Sequence, residues 1–98
     1  MKIFLLISKY VKPLHEVDRV LPAHREFLQR FYDDGTFLVS GPLNPRTGGA
    51  IVAVGESRED IQNVLAEDPF FTEGISEYEI LEFSPTKVSE KWERVFSG

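Results

Sequence analysis

Few side chains in this chain are suited to moving a proton near neutral pH, and His24 is the most informative of them. It lies in a segment whose apolar residues recur every three or four positions, a spacing that predicts one buried stripe along a helix. The stripe consists of Val17, Val20, Leu21, Phe27, Leu28 and Phe31. His24 falls at its centre, so its imidazole is predicted to face the interior. Two interpretations stay open, a core histidine satisfied by one hydrogen bond or a general acid/base.

Asp68 favours the second interpretation. This residue is predicted to end a second helix, directly before Pro69-Phe70. A negative charge at the C-terminal end of a helix is unfavourable because of the helix dipole, so the carboxylate is expected to have a partner. The alternative is an exposed turn, since Asp-Pro is a common turn pair. If the partner is His24, Asp68 would fix the imidazole tautomer and stabilise the imidazolium.

A short segment around the end of the second predicted strand is expected to bind substrate. Ser40 is expected to line the pocket, although no elbow motif identifies it as a nucleophile. Gly41 and Pro42 are predicted to stop that strand and to shape the turn that follows. Arg46 is expected to meet an anionic substrate from its loop.

The other histidine, His15, is predicted to be a solvent-exposed residue in a loop at 9–16. A metal site formed by His15, His24 and Asp68 is the alternative, but their spacing matches no known ligand motif. No metal and no cofactor are therefore expected.

Composition limits the class of partner. The chain has 98 residues, enough for one domain, predicted as a core at 1–83 with a tail at 84–98. It contains no cysteine, which excludes a disulfide framework, a thiolate nucleophile and Cys-based metal sites. The net charge of −5 argues against a nucleic-acid partner. The apolar run at 3–7 is too short for a signal peptide or a membrane span, so a cytoplasmic protein is expected.

The predicted elements alternate in a recognisable order. Strands are predicted at 2–8, 36–40, 50–54 and 75–83, with helices after the first and third of them. Pro22 interrupts the first helical pattern and predicts a fresh start near Leu21 or a kink. That helix is expected to end at a left-handed Gly35, and Ser57 is expected to cap the second. In the last strand the apolar side changes partway, which a bulge or a partner chain would explain.

The order strand, helix, strand, strand, helix, strand predicts an α+β fold. Right-handed crossovers give a ferredoxin-like βαββαβ domain, a four-stranded antiparallel sheet with both helices on one face and the first and third strands central. Those two strands are apolar on both sides. The face without helices would then expose more apolar surface than a monomer usually tolerates, so a homodimer or larger assembly is expected. A large ligand on that face is the alternative cover.

Several short motifs together resemble the YCII-related (YciI-like) proteins over about residues 1–83. The motifs are Leu21-Pro22-Ala23-His24, Asp34-Gly35, Ser40-Gly41-Pro42, Thr47-Gly48-Gly49-Ala50 and Asp68-Pro69-Phe70. The resemblance implies a ferredoxin-like α+β barrel formed by dimerisation, and a pocket in which a histidine and an aspartate meet. Those positions correspond to His24 and Asp68. One characterised relative is a dehydrochlorinase of a chlorinated hydroxyquinol, but the tail after residue 84 matches no family pattern, so specificity does not carry over.

Three functions are weighed on these observations. The first is a cofactor-free lyase or isomerase in which His24 moves a proton on a small enolisable or phenolic substrate, assisted by Asp68. The second is a non-catalytic small-molecule binding or accessory module. The third, an RNA-binding domain, is disfavoured by the acidic charge. The aromatic side chains are expected in the core rather than on a stacking surface, namely Phe27, Phe31, Phe37, Phe70 and Phe71.

Overall fold

The computed structural model describes residues 1–96, and four segments of the chain pair into one antiparallel sheet. In chain order these strands are β1 (Lys2–Tyr10), β2 (Phe37–Pro42), β3 (Gly48–Gly55) and β4 (Ser76–Phe83). They lie in the order β2-β3-β1-β4, with the helices on one face. The predicted ferredoxin-like sheet with β1 and β3 in the middle is therefore confirmed.

The first helix, α1 (Leu14–Asp33), begins earlier than predicted and continues through Pro22. Val17 and Val20, which precede the proline, are 0% and 4% exposed. We attribute the unbroken helix to their burial, which offsets the roughly 3 kcal/mol that an interior proline costs. The predicted fresh start near Leu21 is wrong because this packing determines where the helix begins.

The same early start changes the segment before the helix. β1 extends to Tyr10, so the predicted loop at 9–16 shrinks to three residues between strand and helix, at positions 11–13. His15 is a residue of α1 and not of a loop, although it is exposed as predicted. At the other end of the helix, Gly35 has a φ of 84°, the left-handed conformation predicted for it.

The second helix, α2 (Arg58–Leu65), begins as predicted, with the Ser57 hydroxyl accepting from the N–H three residues on at 3.1 Å. It ends before Asp68, so the predicted end of α2 at Asp68-Pro69 is wrong. Asp68 instead caps a separate short helix, α3 (Pro69–Thr72), whose first turn donates an N–H to its carboxylate at 2.9 Å. An aspartate followed by proline suits such a helix start.

A bulge in β2 determines which of its side chains face the helices. Phe37 pairs with Ala53, and Val39 pairs with the next residue of β3, so Leu38 is one extra residue in β2. Because side chains alternate along a strand, this insertion places both Phe37 and Ser40 on the helix side. Of the two explanations given for the last strand, a bulge or a partner chain, the bulge is wrong, because β4 pairs with β1 without a register shift.

The predicted stop at Gly41-Pro42 is also wrong, because β2 continues through both residues. β2 lies at the edge of the sheet, where a proline removes no hydrogen bond from a neighbouring strand.

The helix side of the sheet contains two buried apolar clusters. The larger one, named the sheet cluster, comprises Phe4, Leu6, Phe27, Phe31, Phe37, Ile51, Ala53, Ile61 and Leu65. The smaller one, named the N-terminal cluster, comprises Val17, Val20, Phe70 and Ile75. Phe71 belongs to neither: it is 55% exposed, so its predicted place in the core is wrong.

The other side of the sheet faces away from α1 and α2. Its apolar side chains form what we name the outer face, which comprises Ile3, Leu5, Ile7, Val39, Val52, Val54, Leu81 and Phe83. Val39, Leu81 and Phe83 are 53%, 46% and 47% exposed. The tail contains a 3-10 turn (Glu90–Trp92) and a short helix, α4 (Glu93–Phe96). No helix within residues 1–96 is long and apolar enough to cross a membrane.

Candidate active site

His24 and Asp68 meet beneath α1. The Nδ1 atom of His24 is 2.7 Å from Oδ1 of Asp68, and both side chains are buried. The imidazole stacks on Phe70 of α3, with ring centroids 3.8 Å apart and an angle of 5° between the planes. Phe27 approaches its ring from further along α1, at 6.2 Å. His24 therefore lies where the sheet cluster and the N-terminal cluster adjoin.

The carboxylate of Asp68 accepts three hydrogen bonds, and none of its surface is exposed. Oδ1 accepts from His24 Nδ1 and from the backbone N–H of Phe70, while Oδ2 accepts from the Tyr78 hydroxyl. Burial, followed by the negative charge of Asp68, raises the pKa of Tyr78 above its ordinary value. Tyr78 therefore remains a protonated donor on β4. Three elements thus hold the carboxylate in one position.

This arrangement fixes the roles of the two imidazole nitrogens. A carboxylate accepts hydrogen bonds and does not donate, so the proton between the two side chains is carried by Nδ1 of His24. The opposite nitrogen, Nε2, then has a free lone pair. Within residues 1–96 it makes no hydrogen bond. His24 is thus arranged to accept a proton at Nε2.

A cavity of about 370 Å³ opens beside His24, between α1 and the β2 side of the sheet. The predicted residues Ser40, Gly41, Pro42 and Arg46 line it together with His24. Asp68 does not line the cavity. It lies behind the imidazole and has no surface for a ligand to contact.

Ser40 reaches this cavity because of the bulge at Leu38. Its hydroxyl is hydrogen-bonded to the hydroxyl of Tyr32, from the last turn of α1. Sequence reasoning missed Tyr32, although it lies eight residues after His24 and therefore near the same side of the helix. It also missed Tyr78 as the second partner of Asp68.

The floor of the cavity is formed where β1 and β3 approach each other closely. Gly48 leaves no room for a side chain, since a Cβ there would lie 1.8 Å from the carbonyl oxygen of Ser8. The neighbouring Gly49 donates its N–H to the Ser8 hydroxyl at 2.8 Å. At the opening, Arg46 donates to Asp18 at 2.7 Å and lies over the ring of Tyr10.

Within residues 1–96, no three His, Cys, Asp or Glu side chains are grouped closely enough to hold a metal ion. The cavity is lined by hydroxyl, imidazole and guanidinium groups and the carboxylate of Asp18, among apolar side chains. These groups suit the orientation of an organic molecule and the transfer of a proton.

A sequence model of the YCII-related domain matches residues 1–84. The chain belongs to the YCII-related family. It is 34% identical over 64 residues to the uncharacterized protein YjpA of Bacillus subtilis (strain 168), an alignment covering 65% of this chain and 75% of that protein. The resemblance seen in the sequence motifs is thereby confirmed.

Among solved structures, the YCII-related chain is similar to the 5-chloro-2-hydroxyhydroquinone dehydrochlorinase TftG of Burkholderia phenoliruptrix AC1100, in complex with 2,5-dihydroxybenzoquinone. The TM-score is 0.72 at 20% identity, and the match covers 84% of this chain and 93% of TftG. At this level of identity the similarity shows a common fold.

Proposed function

We propose that this YCII-related protein is a cofactor-free acid/base enzyme of the lyase or isomerase type. His24 transfers a proton to and from a small enolisable or phenolic substrate held in the cavity. The observation that carries the proposal is the hydrogen bond from Nδ1 of His24 to a fully buried carboxylate, with the imidazole lining a cavity of ligand size. A positioned base of this kind contributes roughly 10²–10⁴-fold in rate.

In this proposal Asp68 positions the base and does not contact substrate. Its hydrogen bond keeps the proton on Nδ1, so Nε2 is always the atom that faces the reaction. When Nε2 takes up a proton, the imidazolium is stabilised by a carboxylate 2.7 Å away. The donors Tyr78 and Phe70 hold that carboxylate in place, so little reorganisation accompanies the transfer.

The similarity to TftG supports the class of reaction and not the substrate. TftG is a dehydrochlorinase crystallised with a dihydroxybenzoquinone, so its fold accommodates a single hydroxylated ring. A dehydrochlorination removes a proton and a chloride ion, and the removal of a proton is the step assigned to His24.

The proposal is tested with a panel of small enolisable ketones and hydroxylated aromatic rings in deuterated buffer. Proton NMR measures the exchange of ring or α-carbon hydrogens catalysed by the protein. We expect exchange with at least one compound, and a fall of roughly 10²–10⁴-fold in His24→Gln.

The matched control is His15→Gln, which removes the exposed histidine from the same helix and should leave exchange unchanged. Asp68→Asn should retain a small part of the activity, since the imidazole remains but loses its fixed tautomer. Unchanged exchange in folded His24→Gln would rule out the proposed base and leave a binding module as the alternative.

We further propose that the protein functions as a homodimer, with the outer face as the interface and no nucleic acid as partner. The outer face carries half-exposed Val39, Leu81 and Phe83 on the side of the sheet opposite α1 and α2. A second copy would remove this surface from water at roughly 25 cal/mol per Å². The net charge of −5 disfavours a polyanion at any face.

A further inference from the structure

We infer that the guanidinium groups of Arg25 and Arg46, at the opening of the cavity, select small carboxylates. The carboxylate is carried on a single ring or a group of similar size. This inference rests on the proposed function, because it takes the same cavity as the substrate site. It adds the class of substrate, which neither the family nor the fold provides.

The charges around the cavity carry the inference. Its ionisable lining residues are Asp18, His24, Arg25 and Arg46, with two tyrosines. Asp18 is paired with Arg46 at 2.7 Å. Within residues 1–96, Arg25 has no carboxylate within 4.0 Å. One guanidinium charge is therefore uncompensated at the opening.

This local positive charge contrasts with the charge of the whole chain. The net charge is −5, so the protein as a whole repels anions. An unpaired arginine beside a cavity creates a local region of favourable potential that attracts an anion to this place and not elsewhere on the surface. Such a charge stabilises a bound anion more than it stabilises a neutral ligand.

Arg46 complements Arg25 because its position is fixed. Asp18 accepts from its Nη2, and the ring of Tyr10 lies 5.9 Å from its guanidinium carbon. A guanidinium has five N–H donors, so the bond to Asp18 leaves others for a ligand. Carboxylates suit such forked donors better than neutral hydroxyls do.

The size and lining of the cavity define the rest of the ligand. About 370 Å³ lies near the lower end of ligand cavities, which span roughly 300–1,000 Å³. Leu21, Leu28 and Ile51 supply an apolar wall to the cavity that His24 also lines. A single ring fits against this wall while its carboxylate remains at the opening, which leaves the reactive part of the ligand beside the imidazole.

The test compares two probes that differ only in the carboxylate, 2,5-dihydroxybenzoate and 1,4-dihydroxybenzene. Isothermal titration calorimetry at low ionic strength measures the Kd of each for the full chain. We expect the carboxylated probe to bind at least about tenfold more tightly, with a preference that declines as salt is added. Arg25→Gln and Arg46→Gln should each remove most of that preference, while Arg25→Lys should retain part of it.

Arg30→Gln is the matched control. It removes the same charge from the same helix, but Arg30 pairs with Glu67 and does not line the cavity, so the preference should persist. Equal binding of the two probes, binding of neither, or a preference unaffected by both cavity variants would overturn the inference. Failure of the proposed function has a different signature: the carboxylate would bind through Arg25, but no hydrogen exchange would depend on His24.

Discussion

Asp68 stabilises the fold and shapes the chemistry through the same three hydrogen bonds. Its carboxylate accepts from a side chain on α1, a backbone N–H of α3 and a hydroxyl on β4. A fully buried carboxylate is costly unless it is satisfied by donors of this kind. Loss of any one donor should therefore change stability as well as the orientation of His24.

Tyr78→Phe tests this coupling through its dependence on pH. Burial and the charge of Asp68 raise the pKa of Tyr78 above the ordinary value of 10.0. A raised pKa in the folded state means that the stabilising contribution is complete below about pH 10 and is lost as pH rises above it. The variant should be less stable than the wild type by about 1–3 kcal/mol near pH 7.

Urea unfolding followed by circular dichroism measures this difference at several values of pH. The difference should be constant up to about pH 9 and should shrink by about pH 11, because the unfolded wild-type chain then ionises Tyr78. A difference that stays the same over the whole range would show that Tyr78 ionises equally in both states.

His24 could be predicted because its position relative to the apolar stripe is a matter of spacing alone. The prediction that Asp68 has a partner was reached from an incorrect helix boundary, because the aspartate begins α3 and does not end α2. Its hydrogen bond to Tyr78 was not predictable, because it depends on the alignment of β4 with β1. Arg25 was missed because it is exposed and looks like an ordinary surface charge in the sequence.

At the scale of elements, the interior proline of α1 is the clearest case in which packing prevails over local preference. Pro22 is exposed, while Val17 and Val20 before it are buried against Phe70 and Ile75 of the N-terminal cluster. The first two turns of α1 are therefore maintained by tertiary contacts, despite a missing backbone donor.

Pro22→Ala should stabilise the protein by roughly 1–3 kcal/mol, since alanine restores the donor and removes the steric conflict with the preceding turn. Chemical denaturation measures the change. The matched control is Pro69→Ala at the first position of α3, where the missing N–H has no partner in any case and no comparable gain is expected. If Pro22→Ala did not raise the stability, the proline would not be a cost to α1.

The bulge in β2 shows where sequence patterns give no information. Residues 37–39 are all apolar, so the order of side chains contains no sign of the face to which each belongs. In β4, by contrast, the change of apolar side suggested a bulge although the strand is regular. Its Leu81 and Phe83 belong to the outer face, and a partner chain remains the interpretation that accounts for them.

At the scale of the whole molecule, the two faces of the sheet differ in what covers them. One face is covered by helices and contains both clusters and the cavity. The other consists of the outer face, whose central residues are buried or half-buried and whose residues on β2 and β4 are about half exposed.

Leu81→Glu should convert the proposed homodimer into a monomer, because a carboxylate would be buried at the interface without a partner. Size-exclusion chromatography with light scattering measures the mass, which for one chain is 11.2 kDa. Phe71→Glu is the matched control, since Phe71 is equally exposed but lies on α3, away from the outer face. A wild-type protein that is monomeric at high concentration would contradict the proposed assembly.

The extra residue at Leu38 shifts the alternation of side chains along β2 by one position. Before it, Phe37 faces the interior, and after it, the even-numbered positions do so, beginning with Ser40. If Leu38 were instead paired in regular alternation, Ser40 would face away from the cavity and Val39 would take its place. The hydroxyl that lines the cavity with His24 is thus a property of strand pairing as much as of residue type, and homologous serines are equivalent only where they pair with the same position of the neighbouring strand.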